Sequence, residues 1–334
     1  MECYILTKLK ILENELKAKN KGNNMKAIFM GTPVFALNSL NTLISLGIEI
    51  PLVVTKEDAR QGRKMKTGES PVKMKAREAN IDILQPSSLK DEDVIRIIRD
   101  INPDVIVVTA YGKVLPREIL DIPKFGCINV HASLLPKYRG ASPINSCILD
   151  GDTITGITTM YMNGKLDEGY IILQDELTIE PDDDSQTLTE KLAKLSEKTL
   201  ENTLKMMMMN IEIPRIEQDE TKSSYCTLLS KEKGHINYYK TADEIINTIR
   251  GLQPWPCAYS FYNENNIKIF KAEKTNEKSV NQPGTIVKSL KDKLIVATST
   301  YDISIKELQL AGKKKMNISD FLRGNKLLEG EILK

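Results

Sequence analysis

From Met25 onward the chain alternates short unbroken apolar runs with stretches in which apolar positions recur every three or four residues. The runs Ala27–Met30, Ile50–Val54 and Asp104–Thr109 read as strands, and the last is continuous enough for the centre of a parallel sheet covered on both faces. Phe35, Leu40, Leu43 and Ile44 mark an amphipathic helix between the first two. Further helices are expected over Pro71–Ala79 and over Asp91–Ile101, where Val94, Ile97, Ile98 and Ile101 form the apolar stripe. Another strand at Gly126–Val130, two strand-like runs at Ile157–Met162 and Tyr170–Leu173, and a helix from about Ser185 complete this half. The alternation predicts βαβ units, hence a doubly wound, mostly parallel, Rossmann-like α/β sheet with ligands at the carboxyl ends of its strands. Gly31-Thr32-Pro33 occupies the first turn, but it is not a GxGxxG and implies no dinucleotide.

After about Asn210 the period changes. A segment over 211–230 reads as a linker, and Ile245, Ile246 and Ile249 mark a helix. Short alternating strands then dominate, at Ala258–Tyr262, Ile267–Ala272, Gly284–Val287, Leu294–Ala297 and Ile303–Leu310, with turns every ten or so residues. This spacing predicts a small C-terminal β-barrel of the OB-fold kind, a scaffold that commonly binds nucleic acid. The expected organisation is therefore an extension over 1–24, an α/β domain over 25–210, the linker, and the barrel over 231–330. Ile5, Leu9, Leu12 and Leu16 in the extension are helically spaced, and an over-extended gene start before Met25 is the expected explanation for it.

Composition sharpens two points. The five cysteines are odd in number, scattered and without a CxxC pair. Neither a disulfide framework nor a metal site is indicated, and a reducing, cytoplasmic compartment is expected. No apolar stretch approaches the ~20 residues needed to cross a bilayer, so no membrane partner is expected. The net charge of +2 conceals an asymmetry: from Lys222 onward there are 19 Lys and Arg against 12 Asp and Glu, whereas the segment 25–221 is acidic. A basic final third suggests a polyanionic partner for the C-terminal part.

Candidate chemistry centres on Asn129 and His131, where the strand Gly126–Val130 runs out into Leu134-Leu135-Pro136. Alternate positions on a strand point the same way, so an amide donor and an imidazole converge on one point. That pairing suits a reaction in which a carbonyl oxygen gains charge while a proton moves; a turn Asn and a packed His give the same pattern. Asp167, in Leu166-Asp167-Glu168-Gly169, presents a carboxylate on a tight turn. Arg60, Arg63, Lys64 and Lys66 form a cationic loop near the expected rim of the sheet. Met206–Met209, Asp182–Asp184 and His235 are read as packing, a helix start and a structural residue, with no metal.

The run Asn129-Val130-His131-Ala132-Ser133-Leu134-Leu135-Pro136 resembles the signature of the folate-dependent formyltransferases. Its extension Lys137-Tyr138-Arg139-Gly140-Ala141-Ser142-Pro143-Ile144 resembles the branch of that family acting on methionyl-tRNA. The likeness extends over roughly Met25 to Leu327. It implies Asn129, His131 and Asp167 as the catalytic set, 10-formyltetrahydrofolate as formyl donor, and initiator methionyl-tRNA as acceptor. It further implies a folate pocket lined by Tyr111, Gly112 and Val114 on one side and Ser133, Leu134, Leu135 and Pro136 on the other. Contacts with tRNA are expected from Arg60, Arg63, Lys64 and Lys66 and from Lys313, Lys314 and Lys315, the enzyme acting as a monomer. The family's ribonucleotide and sugar-nucleotide formyltransferases share Asn-x-His, and a sugar-nucleotide enzyme also carries Ser-Leu-Leu-Pro-Lys-Tyr-Arg-Gly. A catalytically idle RNA-binding protein is the alternative outside the enzyme class.

Overall fold

The structure is a computed structural model that describes residues 25–61 and 66–334. The expected N-terminal extension, and Arg63 and Lys64, lie outside the described residues; of Arg60 and Lys66 only the backbone is described. The chain divides into two compact units, the first built from residues 25–141, 156–177 and 190–225, the second from 142–155, 178–189 and 226–334.

In chain order the first unit begins with β1 (Lys26–Gly31), α1 (Phe35–Ser45) and β2 (Glu49–Val54). A small antiparallel hairpin follows, β3 (Ala59–Gln61) with β4 (Lys66–Gly68), then α2 (Pro71–Glu78) and β5 (Asp82–Leu84). Next come α3 (Glu92–Ile101), β6 (Val105–Thr109), α4 (Arg117–Leu120), β7 (Cys127–His131) and the two-residue β8 (Arg139–Gly140). Beyond α5 (Pro143–Leu149) lie β9 (Ile154–Tyr161), β10 (Ile171–Thr178), α6 (Ser185–Met208) and β11 (Tyr225–Cys226). The main sheet has seven strands in the order β10-β9-β7-β6-β1-β2-β5. Neighbours from β7 through β5 pair in parallel, and β7 pairs with β9 antiparallel. From β1 the chain winds outward through β2 to β5, then returns to the other side of β1 for β6 and β7. The carboxyl ends of β1, β6 and β7 therefore flank the crevice at which an open α/β sheet binds its ligands.

All five residues of β6 are buried, as its unbroken β-branched run requires. Ile28, Met30, Val54, Ile106 and Val108 build the core on one face, against Val94 and Ile98 of α3. Helix starts follow local chemistry. Ser70 accepts the backbone N–H of Lys73 at 3.0 Å ahead of Pro71, and Asp91 accepts that of Asp93 at 2.9 Å. Strand β5 was not expected, because three residues display no period; pairing with Leu52–Val54 makes it a strand.

The second unit contains α5, α7 (Ala242–Gly251), β12 (Ala258–Tyr262), β13 (Asn265–Lys278), β14 (Ile286–Leu290), β15 (Lys293–Val296), β16 (Tyr301–Leu310), β17 (Met316–Asn317) and α8 (Ile318–Gly324). Its sheet runs β12-β13-β16-β15-β14 with β17 added to β16, and its pairs are antiparallel. Ile245 and Ile249 of α7 and Phe321 of α8 close a core of Ile267, Ile269, Leu294, Ile303 and Ile305. The Thr241–Glu244 capping box starts α7. Strand β14 begins at Ile286 rather than Gly284, because Gly284 sits at φ +90° and Thr285 closes a turn onto the Gln282 carbonyl. Among the described residues no helix is long and apolar enough to cross a membrane.

The segment expected as a linker is tied into the first unit up to Tyr225. Ile216 exchanges two backbone hydrogen bonds with Ile171, and Gln218, Glu220 and Tyr225 gather around Arg139.

Candidate active site

Strand β7 delivers Cys127, Asn129 and His131 to one face of the sheet, two residues apart, and the turn after β9 brings Asp167 to the same place. The Asn129 amide donates to Asp167 Oδ1 at 3.1 Å, and the Gly140 backbone N–H donates to Asp167 Oδ2 at 2.8 Å. A carboxylate only accepts, so the Asn129 NH2 must face it, and its second N–H is left to point elsewhere. The ring of His131, 6% exposed, donates from Nε2 to the carbonyl of Tyr138 at 2.8 Å. Because a carbonyl has no proton to give, that nitrogen carries the hydrogen, and Nδ1 is the position free to gain or lose one. Nδ1 stands 3.7 Å from Asp167 Oδ2, an ion-pair distance when the ring is protonated and too long for a direct hydrogen bond.

The loop after β7 holds its shape by internal hydrogen bonds. Ser133 is fully buried and donates to the Lys137 carbonyl at 2.6 Å. Thr158 on β9 donates to the Ser133 carbonyl (2.6 Å) and accepts from the Leu135 N–H (3.1 Å), while Gln174 on β10 donates to the Leu135 carbonyl (2.9 Å). Tyr138 completes the loop at φ +60° and Asp167 sits at φ +53°. Most residues with a Cβ cost about 1–2 kcal/mol in that left-handed region, Asp and Asn less, so the surroundings must hold Tyr138 there while Asp167 suits its turn. Gly169 is a glycine of necessity: a Cβ would fall 1.7 Å from the Tyr161 carbonyl oxygen.

What holds the turn is Gln218, which donates to the carbonyls of both Asp167 and Gly169 at 2.8 Å. Behind it lies Arg139, whose side chain is fully buried. Its guanidinium donates to Gln218 Oε1, to both carboxylate oxygens of Glu220 (2.7 and 3.0 Å) and to the Tyr225 hydroxyl (3.0 Å). The bond to Glu220 raises the Arg139 pKa above its ordinary value and holds the Glu220 carboxyl below the usual carboxylate range. None of these partners was legible in the sequence. Gln218 and Glu220 lie in the presumed linker, and no local motif announces a contact across 51 or 81 positions.

A cavity of about 710 Å³ adjoins the turn, lined by Leu120, Cys127, Met162, Glu168, Gly169 and Gln218 among others. It falls in the ordinary range for a small-molecule site. The seven residues expected at a folate pocket lie away from it, on the loops that follow β6 and β7 at the carboxyl ends of those strands. Tyr111 packs in the core, where burial pushes its hydroxyl up to about 12, and Leu135 clusters with Met160 and Ile171. Ser133 is sealed, whereas Gly112 and Val114 are exposed. Cys127, by contrast, shares the face of Asn129, and its thiol is raised to about 12 by burial. In the second unit Lys313 and Lys314 are exposed, while Lys315 pairs with Glu307 at 2.6 Å and lies over the Phe270 ring. Among the described residues no group of three or more His, Cys, Asp or Glu is placed to hold a metal ion.

Known proteins bear on this arrangement. Residues 25–204 match the formyl transferase family and residues 228–326 match the formyl transferase C-terminal domain. The methionyl-tRNA formyltransferase of Caldanaerobacter subterraneus subsp. tengcongensis is 47% identical over 311 residues, covering 93% of this chain and 100% of that protein. The one from Clostridioides difficile is 43% identical over 309 residues, covering 92% of this chain and 100% of its own length. Among solved structures, the sugar 3N-formyl transferase WlaRD, crystallised in the presence of dTDP and 5-N-formyl-THF, superposes with a TM-score of 0.63. At 22% identity, over 88% of this chain and 100% of that one, this likeness establishes a shared fold. HypX from Aquifex aeolicus, in complex with tetrahydrofolic acid, superposes with a TM-score of 0.59 at 12% identity, over 90% of this chain and 47% of its own. With more than half of its length matched by the family and full-length relatives at these identities, the chain belongs to the formyl transferase family.

Proposed function

We propose that this protein transfers the formyl group of 10-formyltetrahydrofolate to the amino group of methionyl initiator tRNA. The observation that carries the reading is the meeting of Asn129, His131 and Asp167 around one carboxylate, in a chain whose full-length relatives are methionyl-tRNA formyltransferases. In the reaction the amine nitrogen bonds to the formyl carbon, the carbonyl oxygen becomes an oxyanion, and the bond from that carbon to N10 of the folate then breaks. The second N–H of Asn129 and a proton on His131 Nδ1 donate to the oxyanion; one such donor is typically worth about 10²–10³ in rate. Asp167 receives the proton that the attacking amine sheds, directly or through a water, and N10 gains one as it leaves; placed acid–base help of this kind contributes about 10²–10⁴. Each oxygen of Asp167 already accepts one hydrogen bond, which holds the carboxylate still and leaves lone pairs for the incoming proton.

We place the folate against the loops after β6 and β7, where residues 111–114 and 133–136 follow the carboxyl ends of those strands. We read the antiparallel sheet of the second unit as an OB-like barrel whose exposed Lys313 and Lys314 meet tRNA phosphates, and the enzyme as cytoplasmic. The test is formylation of charged initiator tRNA by the wild type and by His131→Gln. That variant keeps an N–H for the Tyr138 carbonyl but has no nitrogen that takes up a proton. Robust wild-type turnover with a loss of at least 10²-fold in the variant is expected; folded wild type that leaves the aminoacyl-tRNA unformylated sinks the reading.

A further inference from the structure

Gln218 lies outside the proposed catalytic set, yet its carboxamide is buried and every one of its polar atoms is committed. Oε1 accepts from Arg139 Nε at 3.0 Å and from Nη2 at 2.8 Å. A guanidinium offers donors only, so the amide oxygen has to face it, and the NH2 is thereby turned toward the carbonyls of Asp167 and Gly169. An amide that could otherwise flip has one orientation here. Arg139 is in turn immobilised by Glu220 and Tyr225, and the next residue, Gly140, supplies the N–H that holds Asp167 Oδ2. The backbone and the carboxylate of Asp167 are thus gripped from the same two-residue strand, once through Gln218 and once directly.

We propose that Gln218, oriented by Arg139, is a positioning residue for Asp167: it pins the turn 167–169 so that the carboxylate lies between Asn129 and His131. The proposal rests on the catalytic role read for Asp167 above. It also gives the segment after α6 a task, because that stretch carries Gln218, Glu220 and Tyr225 to the buried guanidinium.

Gln218→Glu tests it at pH 8. The substitution conserves shape and keeps an acceptor for Arg139, but it sets an oxygen against two carbonyl oxygens. Turnover is expected to fall about 10²-fold, as misplacement of a reacting group by about 1 Å does, with KM for both substrates within about threefold of wild type. Backbone amide exchange over 163–170 and at Gly140 is expected to quicken at least tenfold, with β1 and β6 unchanged. Arg139→Lys should move both readouts in the same direction, since one ammonium cannot serve Gln218 and both Glu220 oxygens together. If Gln218→Glu does not fold, Gln218→Met takes its place with the same readouts. Turnover within twofold of wild type, or unaltered exchange over 163–170, overturns the proposal. The exchange measurement needs no acceptor, so a wild type that fails to formylate methionyl-tRNA refutes the functional reading and leaves the clamp separately tested.

Discussion

Replacing Asp167 by Asn isolates the carboxylate from the turn that carries it. Asn adopts a φ of +53° with little strain, whereas Ala there would add about 1–2 kcal/mol and confuse the result. Asp167 accepts one hydrogen bond on each oxygen, from Asn129 and from the Gly140 N–H. An amide retains a single oxygen, so one of these donors is left facing an NH2. With the side chain 12% exposed, losing a hydrogen bond to a charged acceptor costs about 1.5–3 kcal/mol. At roughly 2–4 °C per kcal/mol for a unit of this size, the melting temperature should drop by roughly 3–12 °C. The chemical step loses its proton acceptor and should slow by about 10²–10⁴, or about 3–5 kcal/mol of barrier. The assay is formylation of charged initiator tRNA at saturating 10-formyltetrahydrofolate, with folate affinity measured by calorimetry on the same protein. A Kd for folate within about threefold of wild type is expected. A variant with the lowered melting temperature but kcat within tenfold of wild type would falsify the role given to Asp167.

Two further predictions concern charge. The Arg139 hydrogen bond holds the Glu220 carboxyl below its ordinary range, so its stabilising contribution is complete above the unfolded value of about 4.5 and is lost as pH falls through the lower folded value. The stability difference between wild type and Glu220→Gln should therefore be flat above about pH 5 and shrink below about pH 4.5; thermal melts across pH 3–7 with a constant difference would refute the pairing. Lys313→Ala/Lys314→Ala should weaken tRNA binding and reduce the slope of log K against log salt by roughly 1.5, about 0.7–0.9 per phosphate contact. An unchanged slope would remove these two lysines from the tRNA surface.

The pattern of apolar positions was enough to foresee the strand–helix alternation, because residues such as Val105–Val108 have few environments other than the centre of a covered sheet. Asn129 and His131 were legible for a related reason: two residues apart on a strand, their convergence is local geometry. Asp167 stood out only through its resemblance to a family motif, since an Asp before a Gly turn is ordinary by itself. Beyond that the chain alone was silent. Tyr111 and Leu135, expected at a folate pocket, also pack in buried clusters, because an apolar side chain near a site and one beneath it have the same sequence signature. Arg139 offered no hint that it would be fully buried, and Gln218 and Glu220 seemed to belong to a polar linker. Burying a guanidinium is tolerable only when donors and acceptors match in three dimensions, and here those acceptors arrive from about 80 positions away. Sequence by itself determined the longer helices and strands and where two catalytic candidates sit, since both are matters of neighbouring residues. Tertiary structure alone decided how the third is held between them, because that grip is made by polar partners whose meeting is a property of the folded chain.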